Sequence, residues 1–281
     1  MRAGPWARAG LALAALLVVL WSAFPFLWYA LVSVTTPGHI PRRLEIPDLI
    51  TWRTYAAVLL GGDWLEVGAK TSIVPSVVNS FLVAGTTVLI CLLVSTGAAY
   101  VFSRFRSAGL TLAFNALLLI RMTPGVSLAV PIFLMMSAYG LLDTRLGLSL
   151  VHALLSLPLA IWLMKGFFDT IPVELEEAAL IDGASLARVL RHVVLPLAAP
   201  GLAVTACFVF LASYIELLFA LILSRGGIDT LPLAIAGYKS EHQTFYNEMA
   251  AASFISMIPL ALFFYVAGRH MVGGLTMGAV K

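Results

Sequence analysis

The feature that most constrains this chain is the absence of Asp, Glu, Lys and Arg between Arg8 and Arg42. As a helix, the apolar part of that run, Ala9 to Val34, exceeds the roughly 20 residues needed to cross a hydrocarbon core. Backbone groups in lipid must find partners within their own segment, which restricts such a run to a helix. It is longer than the apolar region of a secretory signal, and no small-x-small site precedes the return of polar sequence. It therefore reads as a retained first span, with a cleaved leader as the competing reading.

Five further stretches share this character. They are Thr71 to Ser103, Ala108 to Tyr139 (interrupted by Arg121), Leu146 to Met164, Pro200 to Leu223 (containing Glu216) and Met249 to Gly268. The chain is 61% hydrophobic and 11% charged, against about 25% charged in soluble domains. The fold expected is an all-α membrane protein of a single domain, residues 1–281. Its six spans would cover about 9–34, 72–103, 108–139, 146–164, 200–223 and 249–268. Pro75, Pro124, Pro131, Pro158 and Pro259 should kink or end helices locally. Cys91 and Cys207 lie in apolar sequence with neither metal-ligand nor disulfide spacing, and no metal site is expected. The net charge of +3 is spread along the chain, which argues against a nucleic-acid partner.

Six spans place both termini on one side. Arg2, Arg8, Arg104, Arg106, Lys165, Arg188, Arg191, Arg269 and Lys281 slightly outnumber Arg42, Arg43, Arg53, Lys70, Arg145, Arg225 and Lys239. The positive-inside tendency then favours cytoplasmic termini. On that topology Thr35 to Lys70 is a long outer loop and "SRFRSAG" a tight inner turn. "GLLDTRLG" is a short outer turn, residues 170–199 an inner hairpin, and Ser224 to Glu248 a second outer loop.

The inner hairpin is charged in a chain that otherwise avoids charge. Pro172 suits a helix start, and Glu174, Glu176 and Glu177 suit the positive end of the helix dipole. Leu175, Ala178, Ala179 and Asp182 share one face by their spacing. Gly183 can stop the helix in the left-handed conformation, Ser185 can cap a second helix, and Pro196 should end that one. The residues alone leave two readings open, an amphipathic loop at the membrane surface or a docking element for a cytoplasmic partner.

"EAALIDGASLARVLRHVVLP" resembles the EAA loop of ABC importer permease subunits, with Glu177, Ala178, Ala179, Gly183, Val193, Leu195 and Pro196 at the family's spacing. "NSFLVAGTTVLICLLVSTGAAYVFSRF" and "MTPGVSLAVPIFLMMSAYGLLDTRLGLSLV" are similar to the second and third spans of such subunits. "FFDTIPVELEEAALIDGAS" and the final "GLTMGAVK" resemble the carbohydrate group, in particular the maltose-type second permease. The resemblance implies the six-helix core of a type I importer (MetI-like). It would place ATPase coupling on Glu176, Glu177, Ala178, Ala179, Asp182, Gly183, Ala184, Leu195 and Pro196. It further implies a second, different permease chain, two ATP-binding cassette subunits and an extracytoplasmic solute-binding protein, together in a bacterial inner membrane. Transport would proceed by alternating access. The chain carries no G-x-x-x-x-G-K-[ST] phosphate loop, so ATP and Mg would be bound by the partner ATPase, with no cofactor in this chain.

Two charges inside the spans need partners or water, because a charge at a helix centre costs roughly 2.5–3.5 kcal/mol on insertion scales. Arg121 and Glu216 are expected either to pair with each other or to line the translocation cavity. Where sugar permeases read Trp-Asn-Glu/Asp, this chain reads "YIE", so Tyr214 and Glu216 join the candidate pathway, as does Asn79 at the start of span two. A helix-to-helix hydrogen bond is the competing role for Asn79. Trp21, Trp28 and Trp162 could serve as interfacial anchors or sugar platforms. His152 is a lone histidine without metal-site companions. The competing functions are import of glycerol-phosphate-type solutes or polyols on the same fold, a channel that works alone, and a membrane-embedded enzyme. The last would need converging catalytic groups.

Overall fold

The computed structural model describes residues 5–35, 50–61, 72–239 and 244–275, which divide into two compact units. Arg2, Arg42, Arg43, Lys70 and Lys281, most of the long loop after the first span and nearly all of "GLTMGAVK" lie outside the described residues, as do the side chains of Arg8 and Arg269.

The first unit comprises residues 1–74 and 234–257. Helix α1 (Pro5–Val34) contains Pro25 and presents apolar side chains all round, with Trp21 85% exposed. A helix apolar on every side belongs in hydrocarbon, not on a water-facing surface. Helix α2 (Arg53–Leu60) returns against its end. There the Thr51 N–H donates to the Val34 carbonyl at 2.8 Å, and the Ile73 N–H to that of Val58 at 2.9 Å. Asn247 donates to the Val32 carbonyl and to the Thr35 hydroxyl, both at 2.8 Å. Ala250, Ala251 and Ala252 are fully buried beside it, small enough to let backbones approach closely.

The second unit comprises residues 75–233 and 258–281. Helix α3 (Val74–Arg104) carries Pro75 in its first turn, where no backbone partner is lost. The third span is not one rod. Helix α4 (Ala108–Ile120) and helix α5 (Gly125–Ala138) meet at 99°. Pro124 has no N–H to continue the ladder, and it disfavours helical geometry at Thr123. The last turn of α4 tightens accordingly, with Met122 and Thr123 bonding three residues back. Helix α6 (Arg145–Asp169) is capped by the Thr144 hydroxyl, which accepts from the Gly147 N–H, and it continues through Pro158.

Helix α7 (Glu174–Ile181) and helix α8 (Leu186–Val189) form the hairpin. The second arm does not end at Pro196. It widens into a π turn over Leu190–Val194 and continues as helix α9 (Leu195–Leu197), with Pro196 in the first turn of α9. A proline ring crowds the carbonyl four residues earlier, and the wider turn relieves that clash. The chain then bends by 74° at Ala198. Helix α10 (Ala199–Tyr214) stops short of the expected span end, and helix α11 (Leu218–Leu223) follows after a break. Helix α12 (Leu231–Ala236) leads to helix α13 (Tyr246–Leu275), which runs through Pro259.

Among the described residues four helices, α1, α3, α6 and α13, are long and apolar enough to cross a membrane, and the total is six if each of the two bent pairs, α4 with α5 and the α8–α9 arm with α10, counts as one span. The fold is the all-α one expected. Three apolar clusters follow α6 along the second unit. Met164 and Phe168 pack with Tyr100, Val189 and Val194 under the hairpin. Ala153 and Ala160 pack with Cys91 and Val209 midway, and Leu148 and Val151 with Met136, Phe219 and Leu223 at the far end. At 1.5 Å per residue the two ends of α6 stand about 37 Å apart.

At the far end Asp143, with a positive φ of 56°, closes the α5–α6 turn onto the loop after α11. Its carboxylate accepts from the N–H groups of Arg225, Gly227 and Ile228 at 3.0–3.2 Å, and its own N–H donates to Leu223 at 2.9 Å. The Arg225 N–H contributes most, helped by those of Ile228 and Gly227, and holds the Asp143 carboxyl below the usual carboxylate range against the opposing effect of burial.

Candidate functional site

The hairpin is held by one buried carboxylate. Glu176, 4% exposed, accepts from the Tyr100 hydroxyl at 2.7 Å and from Arg104 Nε at 2.7 Å, and Arg104 Nη2 lies 2.6 Å from the same carboxylate. The same guanidinium also donates to the Ile171 carbonyl and to Ser103. Glu176 therefore does not face outward with the other expected coupling residues. It ties α7 to the end of α3, and the reason is geometric. It falls on the helix side opposite Glu174 and Ala178, facing α3, where an arginine is in reach.

The outward face carries the remainder. Glu177, Ala178, Asp182 and Gly183 are exposed, with Ile181 85% exposed among them. Gly183 takes φ +83°, the left-handed conformation that stops α7. Asp182 is the α7 C-cap, and the Ala184 N–H returns to the Ala179 carbonyl at 3.0 Å. Ala179 and Ala184 are half-buried on the cluster under the hairpin. Leu195 is half-buried, and Pro196 is exposed. Ser185 occupies the N-cap position of α8 with extended backbone, but its side chain makes no capping bond.

The second group of expected residues lies along the spans. Arg121 caps the C-terminus of α4 at the 99° bend and is exposed. Among the described residues no ion pair joins it to Glu216. Glu216 instead lies 3.2 Å from His152 Nε2, in the break between α10 and α11. Its carboxylate accepts from the N–H groups of Phe219 and Ala220 at 3.0–3.3 Å. A carboxylate so placed starts a new helix by supplying the partners its first N–H groups lack. That is why the fifth span breaks here.

His152 extends this into a network. Its Nδ1 lies 2.7 Å from the Ser213 hydroxyl, Ser213 donates to Thr87 at 3.3 Å, and Thr87 donates to the Val83 carbonyl at 2.8 Å. Both ring nitrogens of His152 are thus engaged, one by Ser213 and the other by Glu216, so the carboxylate within the spans has a polar partner. As a lone histidine His152 carries no metal-site pattern; the signal for its contact is a second ionisable residue, Glu216, in the neighbouring apolar run.

Asn79 and Tyr214, expected along the pathway, both have partners within the chain. The Asn79 amide donates to the Asp229 carbonyl at 3.0 Å and accepts from Arg145 Nε at 2.9 Å. Tyr214 is buried and stacks on Phe210, which stacks in turn on Phe263 at 3.8 Å between ring centroids. Trp162 is half exposed. Among the described residues no cluster of His, Cys, Asp or Glu could hold a metal ion.

Comparison with known proteins places this geometry. Residues 92–276 match the family described as the binding-protein-dependent transport system inner membrane component. The chain is 35% identical over 268 residues to the trehalose transport system permease protein of Mycobacterium tuberculosis, covering 94% of each. It is 32% identical over 276 residues to the trehalose/maltose transport system permease protein of Thermococcus litoralis, covering 98% of this chain and 97% of that one. A similar solved structure is that of a bacterial ABC transporter importing the acidic polysaccharide alginate. It has a TM-score of 0.73 at 22% identity, covering 96% of this chain and 99% of that one.

Proposed function

Because the chain belongs to the family of binding-protein-dependent transport system inner membrane components, we propose that it is the permease subunit of an ATP-driven importer that moves a sugar into the cytoplasm. The observation that carries the reading is the hairpin, an outward face of Glu177, Ala178, Ile181 and Asp182 held rigidly from behind by Glu176. A rigid element can pass on the motion of an ATPase, whereas a loose loop would absorb it. Two of the permeases similar to this chain are named for trehalose and for trehalose/maltose transport, which supports a carbohydrate substrate over glycerol-phosphate-type solutes and polyols. ATP and Mg belong to two cassette subunits, a second and different permease completes the membrane pore, and an extracytoplasmic protein delivers the sugar. Both termini, the turn at Arg104 to Ser107 and the hairpin face the cytoplasm, while Asp143 and its loop face outward. Arg121, exposed at the bend of the third span, is the pathway residue available to a polar solute.

The test is uptake into vesicles holding the assembled transporter. Glu177→Ala and Gly183→Ala should cut ATP-driven sugar uptake at least tenfold while the ATPase still co-purifies. Undiminished uptake in both would refute the coupling role. Titrating the delivering protein with oligosaccharides, polyols and glycerol phosphates settles the substrate class. Arg121→Leu at wild-type affinity and rate would remove Arg121 from the pathway.

A further inference from the structure

Below the hairpin's anchor, at the end of α3, the second unit forms a half-open cavity of about 660 Å3 to which the transport reading assigns no ligand. Arg104, Arg106, Lys165 and Asp169 line it, together with Leu110 and Thr111 from the first turn of α4. The charges there are only partly spent. Arg104 is matched by Glu176 behind the wall. Asp169 is occupied on both oxygens, by Lys165 Nζ at 2.6 Å and by the Ser103 hydroxyl at 2.6 Å. Three cations against two carboxylates leave one positive charge uncompensated, and Arg106 is exposed. Lys165 has two further N–H donors after meeting Asp169. The positive end of α4, whose N-cap is Ser107, adds to the same field.

Beside this polar cavity lies an apolar one of about 370 Å3, lined by Phe114, Trp162, Leu163 and Phe167 and sharing Phe114, Lys165, Asp169 and Thr170 with its neighbour. Lys165 Nζ stands 5.5 Å from the Phe114 ring centroid, at the junction. A polar chamber with one excess cation therefore opens onto a greasy slot at the end of two membrane-spanning helices. The ends of membrane-spanning helices are where lipid headgroups give way to acyl chains. Basic pockets between spans at this level suit anionic headgroups.

The geometry points to a binding site for one anionic phospholipid. Its phosphodiester is held by Arg106 and Lys165 in the polar chamber, and one acyl chain lies against Phe114 and Trp162. A phosphodiester carries a single negative charge, matching the single excess cation. A free phosphate has the same headgroup chemistry but nothing to fill the apolar slot. The inference rests on the chain's placement in a membrane and is independent of which solute is carried.

The assembled transporter, purified from a mixture of phosphatidylglycerol and phosphatidylcholine, is examined by native mass spectrometry for retained lipid. Phosphatidylglycerol should be retained in preference to phosphatidylcholine. Arg106→Gln should weaken retention roughly fivefold, since one interfacial cation is worth about a factor of that size, and adding Lys165→Gln should weaken it further. Arg225→Gln, at the opposite end of α6, should change nothing. Thermal unfolding midpoints equal to wild type confirm that the variants are folded. Equal retention of the two lipids, or unaltered retention in the double variant, would overturn the proposal. So would displacement of the lipid by millimolar inorganic phosphate. None of these readouts depends on transport, so a failed uptake assay and a failed lipid assay are distinguishable.

Discussion

At the scale of residues, the decisive groups are carboxylates with backbone or guanidinium partners. Glu176 belongs to a buried pair, and removing one member of such a pair strands the other at a cost of about 3–5 kcal/mol. Arg104→Ala should therefore loosen the hairpin more than Glu177→Ala does, read as faster amide exchange across residues 174–198. Equal exchange in the two variants would mean that the anchor is dispensable. Asp143 gives a pH signature. Its carboxyl is held below the ordinary range, by the Arg225 N–H first and then by those of Ile228 and Gly227. A depressed folded value means that the stabilisation is fully present above the unfolded carboxylate pKa of about 3.9 and is lost as pH falls through the folded value. Protection of the 225–228 amides should thus hold at pH 5 and above and decline only at lower pH. Asp143→Asn should be pH-insensitive and less protected throughout. Loss of protection already between pH 7 and 5 in the wild type would contradict the clip.

At the scale of elements, close approach and broken ladders shape the helices. A Cβ at Gly201 on α10 would collide with the Phe167 ring on α6. Overpacking of this kind costs roughly 1–3 kcal/mol. Gly201→Ala should lower the thermal midpoint, and pairing it with Phe167→Leu should recover part of the loss. A double variant no better than the single one would show that the contact does not limit packing. The two breaks have different causes. The α4–α5 bend is legible in sequence because Pro124 cannot donate an N–H. The α10–α11 break is not, because the residue that makes it is Glu216, and "YIELLFAL" has no Pro or Gly. The carboxylate is held at the end of α10 by His152 from α6, which also meets Ser213 one turn earlier on α10.

At the scale of the whole molecule, the charged hairpin and the Asp143 clip sit at opposite ends of α6. The topology then predicts opposite accessibility. Single cysteines at Glu177 and Arg225, with Cys91 and Cys207 buried, should react with an impermeant thiol reagent from opposite sides of a sealed membrane. Glu177→Cys should label from the cytoplasmic side. Labelling of both from one side would overturn the six-span arrangement.

The sequence by itself determined the solvent, the number of apolar runs, the hairpin with its Gly183 turn and the family motif within it. Each depends on composition or on local spacing, and those survive whatever the chain packs against. Only the tertiary structure decided which side chains meet. Glu176 turned inward to Arg104, Glu216 took His152 and not Arg121, Asn79 took Arg145 and Asp229, and Pro196 was accommodated by a π turn. The partners of these buried polar groups lie 60 to 150 residues away in the chain, and periodicity carries no information over that distance.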